Sequence, residues 1–246
     1  MKENMMSAVS EQQSKVVAVL GAMDEEVALV AQQLSGASHD PDSKRAGLDV
    51  VRGSLQAADG NGVEIAATVG GMGTVNIAAS AQYLIDRYHP KALIFSGIAG
   101  NLNKSLHIND VVLGGTLRYL DSDMRLIAQF APQTPEFHSD AHLLEVAGQA
   151  LEEMGITHIV GTIATGNYFV DSPEKTAQVQ AETGADAVEM EGAAVAHVAA
   201  RNQVPVLIIR ALSDNADTDY EVFKEFDISE YADTAAKLVL KIAAQL

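Results

Sequence analysis

Two patterns of apolar positions alternate along the chain. Short runs rich in β-branched residues predict strands: VVAVLGA from Val16, VEIAATV from Val63, ALIFSG from Ala92, DVVLGG from Asp110, HIVGTIAT from His158 and PVLIIRAL from Pro205. Longer stretches with helical spacing predict helices starting near Asp24, Thr74, Asp140, Pro173, Glu191 and Ser229. Strands in alternation with helices specify an α/β fold, a sheet covered by helices, and not an all-β sandwich. Glycine and proline are scattered, and neither a low-complexity run nor a repeat of 20 to 50 residues marks a linker. Residues 1–14 read as a frayed polar tail and residues 15–246 as one domain.

Chemistry is sought where polar residues interrupt these patterns, because open α/β sheets build their sites just past the strand ends. In GAMDEEVALVAQQL, from Gly21, residues Met23, Val27, Val30 and Leu34 form one stripe on a helical wheel. Glu25 points away from that stripe, while Asp24 and Glu26 flank it. Asp24 is placed to cap the helix start; Glu26 has no such task and sits at the core's edge. Three acids that merely complement a helix dipole are the structural alternative.

AVEMEGAAVAH, from Ala187, is sharper. With a helix beginning near Glu191, this acid shares the apolar face of Ala194, Val195 and Val198. A buried carboxylate without partners shifts its pKa or costs several kcal/mol, so donors or a ligand should wait for it. A buried pair with an arginine such as Arg210 is the alternative, although Glu189, out of phase with Met190 on the preceding strand, suits that pairing better. In PVLIIRALSDNAD an apolar strand runs into Arg210, Ser213 and Asp214, which puts Asp214 in the crevice at the strand's carboxyl edge or makes it the cap of a turn. VGGMGTVNIAAS and FSGIAGNL are glycine turns after strands. Neither is GxGxxG or a phosphate loop ending in GK[ST], so each is a place for close backbone approach or only a tight turn.

Composition narrows the function classes. The 246 residues include 33 acidic and 16 basic side chains, a formal net charge of −17, with no basic cluster, which argues against nucleic acid and anionic membranes as partners. No cysteine is present, so disulfides, thiol nucleophiles and thiolate metal sites are excluded. The seven histidines are dispersed; His138 and His142 have helical spacing in a polar segment and read as a solvated helix start, not a metal site. No GxSxG elbow occurs, and no apolar run is long enough to span a bilayer or follows a basic leader, so a cytoplasmic location is expected.

GAMDEEV, GGMG, SGIAG, ATGNYFV, VEMEG and RALSDNAD, in this order and at these separations, resemble the methylthioadenosine/S-adenosylhomocysteine nucleosidases of the purine nucleoside phosphorylase and uridine phosphorylase superfamily. The likeness extends from about Val16 to Leu246. It implies a single nucleoside phosphorylase-like domain with a mixed, partly barrel-like central sheet flanked by helices. It also implies a homodimer, no metal or organic cofactor, and hydrolysis of the bond between adenine and a 5′-thio-substituted ribose. Carried onto this chain, it makes Glu26 the base for the attacking water and Asp214 the acid at adenine N7. Glu191 would hold the ribose hydroxyls, with Met190 beside the sugar. Phe169 would stack on the base and the Val170 backbone would read its polar edge. Phe223, or Phe226, would close the alkylthio end, and Ala22, Met72, Ala99 and Gly100 would line the remaining wall. Ile98, Thr74 and Ile127 stand where the family often has serine, lysine and a partner-reaching phenylalanine, which bears on the 5′ substituent and leaves room for a related nucleoside such as an aminodeoxyfutalosine.

Two other functions compete. A phosphate-using phosphorylase needs basic residues in the turns GAMDEEV and SGIAGNL, and neither has one. A purine-binding module without activity would have no need of all three acids.

Overall fold

In the computed structural model, which describes residues 15–56, 60, 62–216 and 229–246, the six expected strands all form. They are β1 (Val16–Gly21), β4 (Gly62–Val69), β5 (Ala92–Asn101), β6 (Val111–Tyr119), β7 (His158–Thr165) and β9 (Val206–Asp214). Three more complete the sheet: β2 (Ser35–His39), β3 (Val51–Gln56) and the short β8 (Ala187–Glu189) that carries the acid-rich stretch. The strand order is β2-β3-β4-β1-β5-β8-β7-β6-β9, and β9 also pairs with β5. Strands β5, β8, β7, β6 and β9 therefore close a five-stranded ring, from which the other four extend as an arm.

The sheet is mixed. Parallel pairs are β1 with β4 and β5, β5 with β9, β6 with β7 and β7 with β8. Antiparallel pairs are β2–β3, β3–β4, β5–β8 and β6–β9. Side-chain alternation sorts the core into two faces. Val17 and Val19 of β1, with Leu207 and Ile209 of β9, pack under α1 (Asp24–Gln32), α4 (Ala141–Glu153) and α7 (Ser229–Ala243). Ala18, Leu20 and Ile208 point the other way, against α2 (Thr74–Tyr88) and α6 (Gly192–Asn202). Each fully buried Leu or Ile contributes about 1.5–3 kcal/mol. A third, smaller cluster holds α5 (Pro173–Thr183) through Val179 against Val170 and Val188. The four-residue α3 (Met124–Ile127) lies in the segment after β6.

Helix starts follow the sequence with two corrections. Asp140 caps α4, accepting from the His142 and Leu143 backbones at 2.9 and 3.1 Å, so His142 belongs to an exposed helix start. Asp24, however, does not cap α1. The cap position is Met23, and the Met23 N–H donates to Glu26 at 3.0 Å, which gives Glu26 the structural task that the wheel assigned to Asp24. The second correction is at Glu191, which is itself the cap position of α6, one residue before the helix.

The expected tail, residues 1–14, and both Phe223 and Phe226 lie outside the described residues. Among the described residues, no helix is long and apolar enough to cross a membrane, and no group of three His, Asp or Glu side chains is arranged to hold a metal ion.

Candidate active site

Where the ring meets the arm, the carboxyl ends of β1, β5, β8 and β9 surround a cavity of about 340 Å³. It is lined by Glu26, Glu191 and Asp214, and by Ala22, Met72, Ala99, Gly100, Phe169, Val170 and Met190. Every candidate residue within the described chain therefore faces one space. Met23, Ile98, Asn167, Tyr168, Val188, Glu189 and Ser213 complete the lining.

Glu26 is buried at 4% exposure. One carboxylate oxygen accepts from the Ala22 and Met23 amides at 2.6 and 3.0 Å, the other from the Ile98 amide at 3.3 Å. Burial raises its pKa above the usual carboxylate value, against the opposing pull of Arg210 and these three amides. Gly97 makes the arrangement possible: a Cβ there would lie 2.7 Å from Glu26 Oε1 and 3.0 Å from Arg210 Nη1. The turns beside Glu26 contain no arginine, but β9 brings Arg210 to it from far along the chain.

Arg210 is committed elsewhere. Its Nε and Nη2 donate to Glu189 Oε2 at 3.1 and 2.6 Å, and its guanidinium lies 4.0 Å from the centre of the Phe95 ring. Both members of the pair are buried. Glu189, as its phase along the strand indicated, is the arginine's partner. Removing one side of such a pair typically costs about 3–5 kcal/mol, since a buried charge is left alone.

Glu189 also does the capping at α6. Its Oε2 accepts from the Glu191 and Gly192 amides at 3.1 and 2.7 Å, its Oε1 accepts from the Thr165 hydroxyl, and Thr165 Oγ1 accepts from the Ala193 amide at 2.8 Å. The Glu191 carboxylate is thereby released from capping its own helix and turns to the cavity, where among the described residues it accepts from the Gly73 amide at 2.7 Å. Burial first, then the neighbouring Glu189, pushes its pKa up to about 7.

That shift gives a signed prediction. Between about 4.5 and about 7 folded Glu191 holds a proton that the unfolded chain releases, so the folded state loses stability as pH rises through this window. Glu191→Gln should therefore raise the unfolding free energy at pH 8 by roughly 1–3 kcal/mol and by little at pH 4.5. Denaturant titrations at the two pH values measure it, and an equal change at both would remove the carboxyl's titration as the cause.

Asp214 ends β9 beside a bulge, opposite Gly100. Its Oδ1 accepts from the Ala216 amide at 2.6 Å and its Oδ2 from the Ser213 hydroxyl at 2.7 Å. The turn-capping alternative is thus partly true, since the Ala216 amide lies in the turn after the strand. Ser213 has no histidine beside it in sequence; its hydroxyl aligns the acid. On the opposite side, Asn167 Oδ1 accepts from the Thr74 amide and hydroxyl at 3.0 and 2.9 Å, and its own amide groups are held by Asp121 at 2.8 and 3.2 Å. Asn167 and Tyr168 stand in the same ATGNYFV stretch as Phe169, and their sequence signal was that adjacency.

The arrangement combines an apolar slot with four buried carboxylates: Glu189 is paired with Arg210, and Glu26, Glu191 and Asp214 come from three further places in the fold. The family model described as the phosphorylase superfamily matches residues 16–244. The chain is 32% identical over 236 residues to a 5′-methylthioadenosine/S-adenosylhomocysteine nucleosidase of Bacillus subtilis, covering 94% of this chain and 99% of that one. Among solved structures it resembles the nucleosidase of the same name from Neisseria meningitidis in complex with methylthio-immucillin-A, with a TM-score of 0.84 and 31% identity over 94% of this chain and 100% of that one. It also resembles the futalosine hydrolase of Helicobacter pylori, with a TM-score of 0.80 and 29% identity over 92% and 96% of the two chains.

Proposed function

We propose that this chain, which belongs to the phosphorylase superfamily, works through Asp214 as acid, Glu26 as base and Glu191 as ribose anchor. The reaction is hydrolysis of the N-glycosidic bond of 5′-methylthioadenosine and S-adenosylhomocysteine, or of a closely related adenine nucleoside, to adenine and the substituted ribose. The observation that carries the residue roles is the convergence of three carboxylates from α1, the start of α6 and the end of β9 on one cavity.

Breaking this bond builds positive charge on the ribosyl carbon and negative charge on the departing purine, and groups that meet those charges lower the barrier. Asp214, aligned by Ser213 and the Ala216 amide, passes a proton to adenine N7 and neutralises the leaving group. Glu191 accepts hydrogen bonds from the ribose hydroxyls, and these strengthen as the sugar becomes cationic. Glu26, fixed by three amides, takes a proton from water as the water bonds to carbon. Phe169 and Met190 supply apolar faces for base and sugar.

The charge balance supports water over phosphate. Glu26, Glu189 and Glu191 surround a single guanidinium that is already bonded to Glu189, and a dianion beside Glu26 is repelled at a cost of several kcal/mol in a low-dielectric site. The test is product analysis with methylthioadenosine in buffers with and without phosphate. Adenine and methylthioribose at equal rates are expected; methylthioribose 1-phosphate as the main product would overturn the reading.

The enzyme is further proposed to be a homodimer. Met72, Val75, Leu126, Phe130 and Tyr168 are large apolar residues left exposed, Val75 at 80%. The Thr74–Asn167 and Asn167–Asp121 hydrogen bonds gather their segments beside the cavity mouth that Met72 and Tyr168 line. Light scattering at micromolar concentration checks this, and a monomer there would refute it.

A further inference from the structure

A single peptide group connects the C-terminal helix to the carboxylate proposed as the base. The Gly97 carbonyl accepts a hydrogen bond from the Tyr231 hydroxyl, and the Ile98 N–H, the other end of that same peptide unit, donates to Glu26 Oε1 at 3.3 Å. Tyr231 stands at the start of α7, buried at 7% exposure, with its hydroxyl also 3.3 Å from Ser96 Oγ. Since Gly97 has no side chain, nothing stands between this peptide and the carboxylate.

We propose that Tyr231 is a positioning residue for Glu26: its phenol fixes and polarises the Gly97–Ile98 peptide, which in turn holds the carboxylate. The proposal rests on the reading of Glu26 as base. A hydrogen bond to a peptide carbonyl makes the N–H of the same unit a stronger donor, and a stronger donor favours the charged carboxylate. The phenol is suited to this because burial raises its pKa and keeps it a donor. Two amides at Ala22 and Met23 grip Oε2, so the Ile98 amide is what orients Oε1. Among the described residues, the other charged groups around Glu26 are Arg210 from β9, Glu191 from the start of α6, Glu189 from β8 and Asp214 across the cavity, while Asp24 and Glu25 on its own helix are exposed. None of these contacts Tyr231 by hydrogen bond.

The test follows the Ile98 amide proton by NMR as a function of pH, since this proton reports the Glu26 carboxylate directly, together with the pH profile of kcat/KM. In Tyr231→Phe the Ile98 proton should move upfield, its titration midpoint should rise by about half a pH unit or more, and kcat should fall about three- to tenfold with KM little changed, the size expected when one hydrogen bond in a chain is lost. Placing 3,5-difluorotyrosine at position 231, a near-isosteric and stronger donor, should move the midpoint the opposite way. Ser96→Ala, which removes the hydroxyl's other neighbour, should leave the midpoint in place.

Superimposable titrations for folded Tyr231→Phe and wild type would overturn the proposal. If the phenylalanine variant does not fold, an unmoved midpoint in the difluorotyrosine protein overturns it instead. Failure of the underlying reading looks different: Glu26→Gln would then retain the wild-type rate, whatever Tyr231 does.

Discussion

Asp214→Asn should reduce turnover of methylthioadenosine by about 10² to 10⁴-fold, the usual worth of a general acid, while the folded structure persists. The amide keeps an oxygen for the Ala216 N–H that Asp214 now binds at 2.6 Å. Its NH₂ then faces Ser213, whose hydroxyl now donates to Asp214 at 2.7 Å and lies 3.3 Å from the Ala99 carbonyl. A hydroxyl rotates freely enough to accept from the amide and donate to that carbonyl, so no buried polar group is stranded. What is lost is the proton for N7, because an amide has none to give. Single-turnover rates alongside a thermal melt separate the two effects. Activity within about threefold of wild type would remove Asp214 from the mechanism, since it falls below what acid catalysis supplies.

Glu26→Gln should also slow hydrolysis by about 10²-fold or more, without any gain of phosphate use. Here the fold is not indifferent. Glu26 accepts three backbone N–H groups on its two oxygens, and glutamine has only one oxygen to offer. With that oxygen toward Ala22 and Met23, its NH₂ confronts the Ile98 N–H, an unsatisfied contact that costs about 1–3 kcal/mol. The loss of a buried charge offsets part of this, since Glu26 ionises at a raised pKa. A melting temperature a few degrees below wild type is compatible with the assignment, and the rate of the folded fraction is what decides. Saturation of the variant's rate with phosphate would promote the phosphorylase reading.

β1, β5 and β9, which frame the site, were legible because each opens as an uninterrupted apolar run, buried on both faces. β2 and β3 were not. Every residue of Ser35–His39 is exposed, and Val51–Gln56 alternates with Arg, Ser and Gln, so neither strand carries the apolar signal on which such reading depends. Glu189 and Arg210 were legible as a pair from the phase of one short strand. Glu26 as a cap was not, since the cap position is Met23 and lacks the Ser or Thr that marks such a box in sequence. Contacts between distant segments were equally hidden: Asn167 meets Thr74 across 93 positions, and Arg210 reaches Glu26 from β9. The role of each acid came from the resemblance to a family, and the geometry added the convergence that those roles require. Phe223 stays an expectation from that resemblance alone.

Gly97 makes one position answer for two buried groups at once. A Cβ at this position would meet Glu26 Oε1 at 2.7 Å and Arg210 Nη1 at 3.0 Å, so one substitution presses on the proposed base and on the arginine of the buried ion pair together. A variant that replaces this glycine cannot keep the Glu26 carboxylate where it now lies.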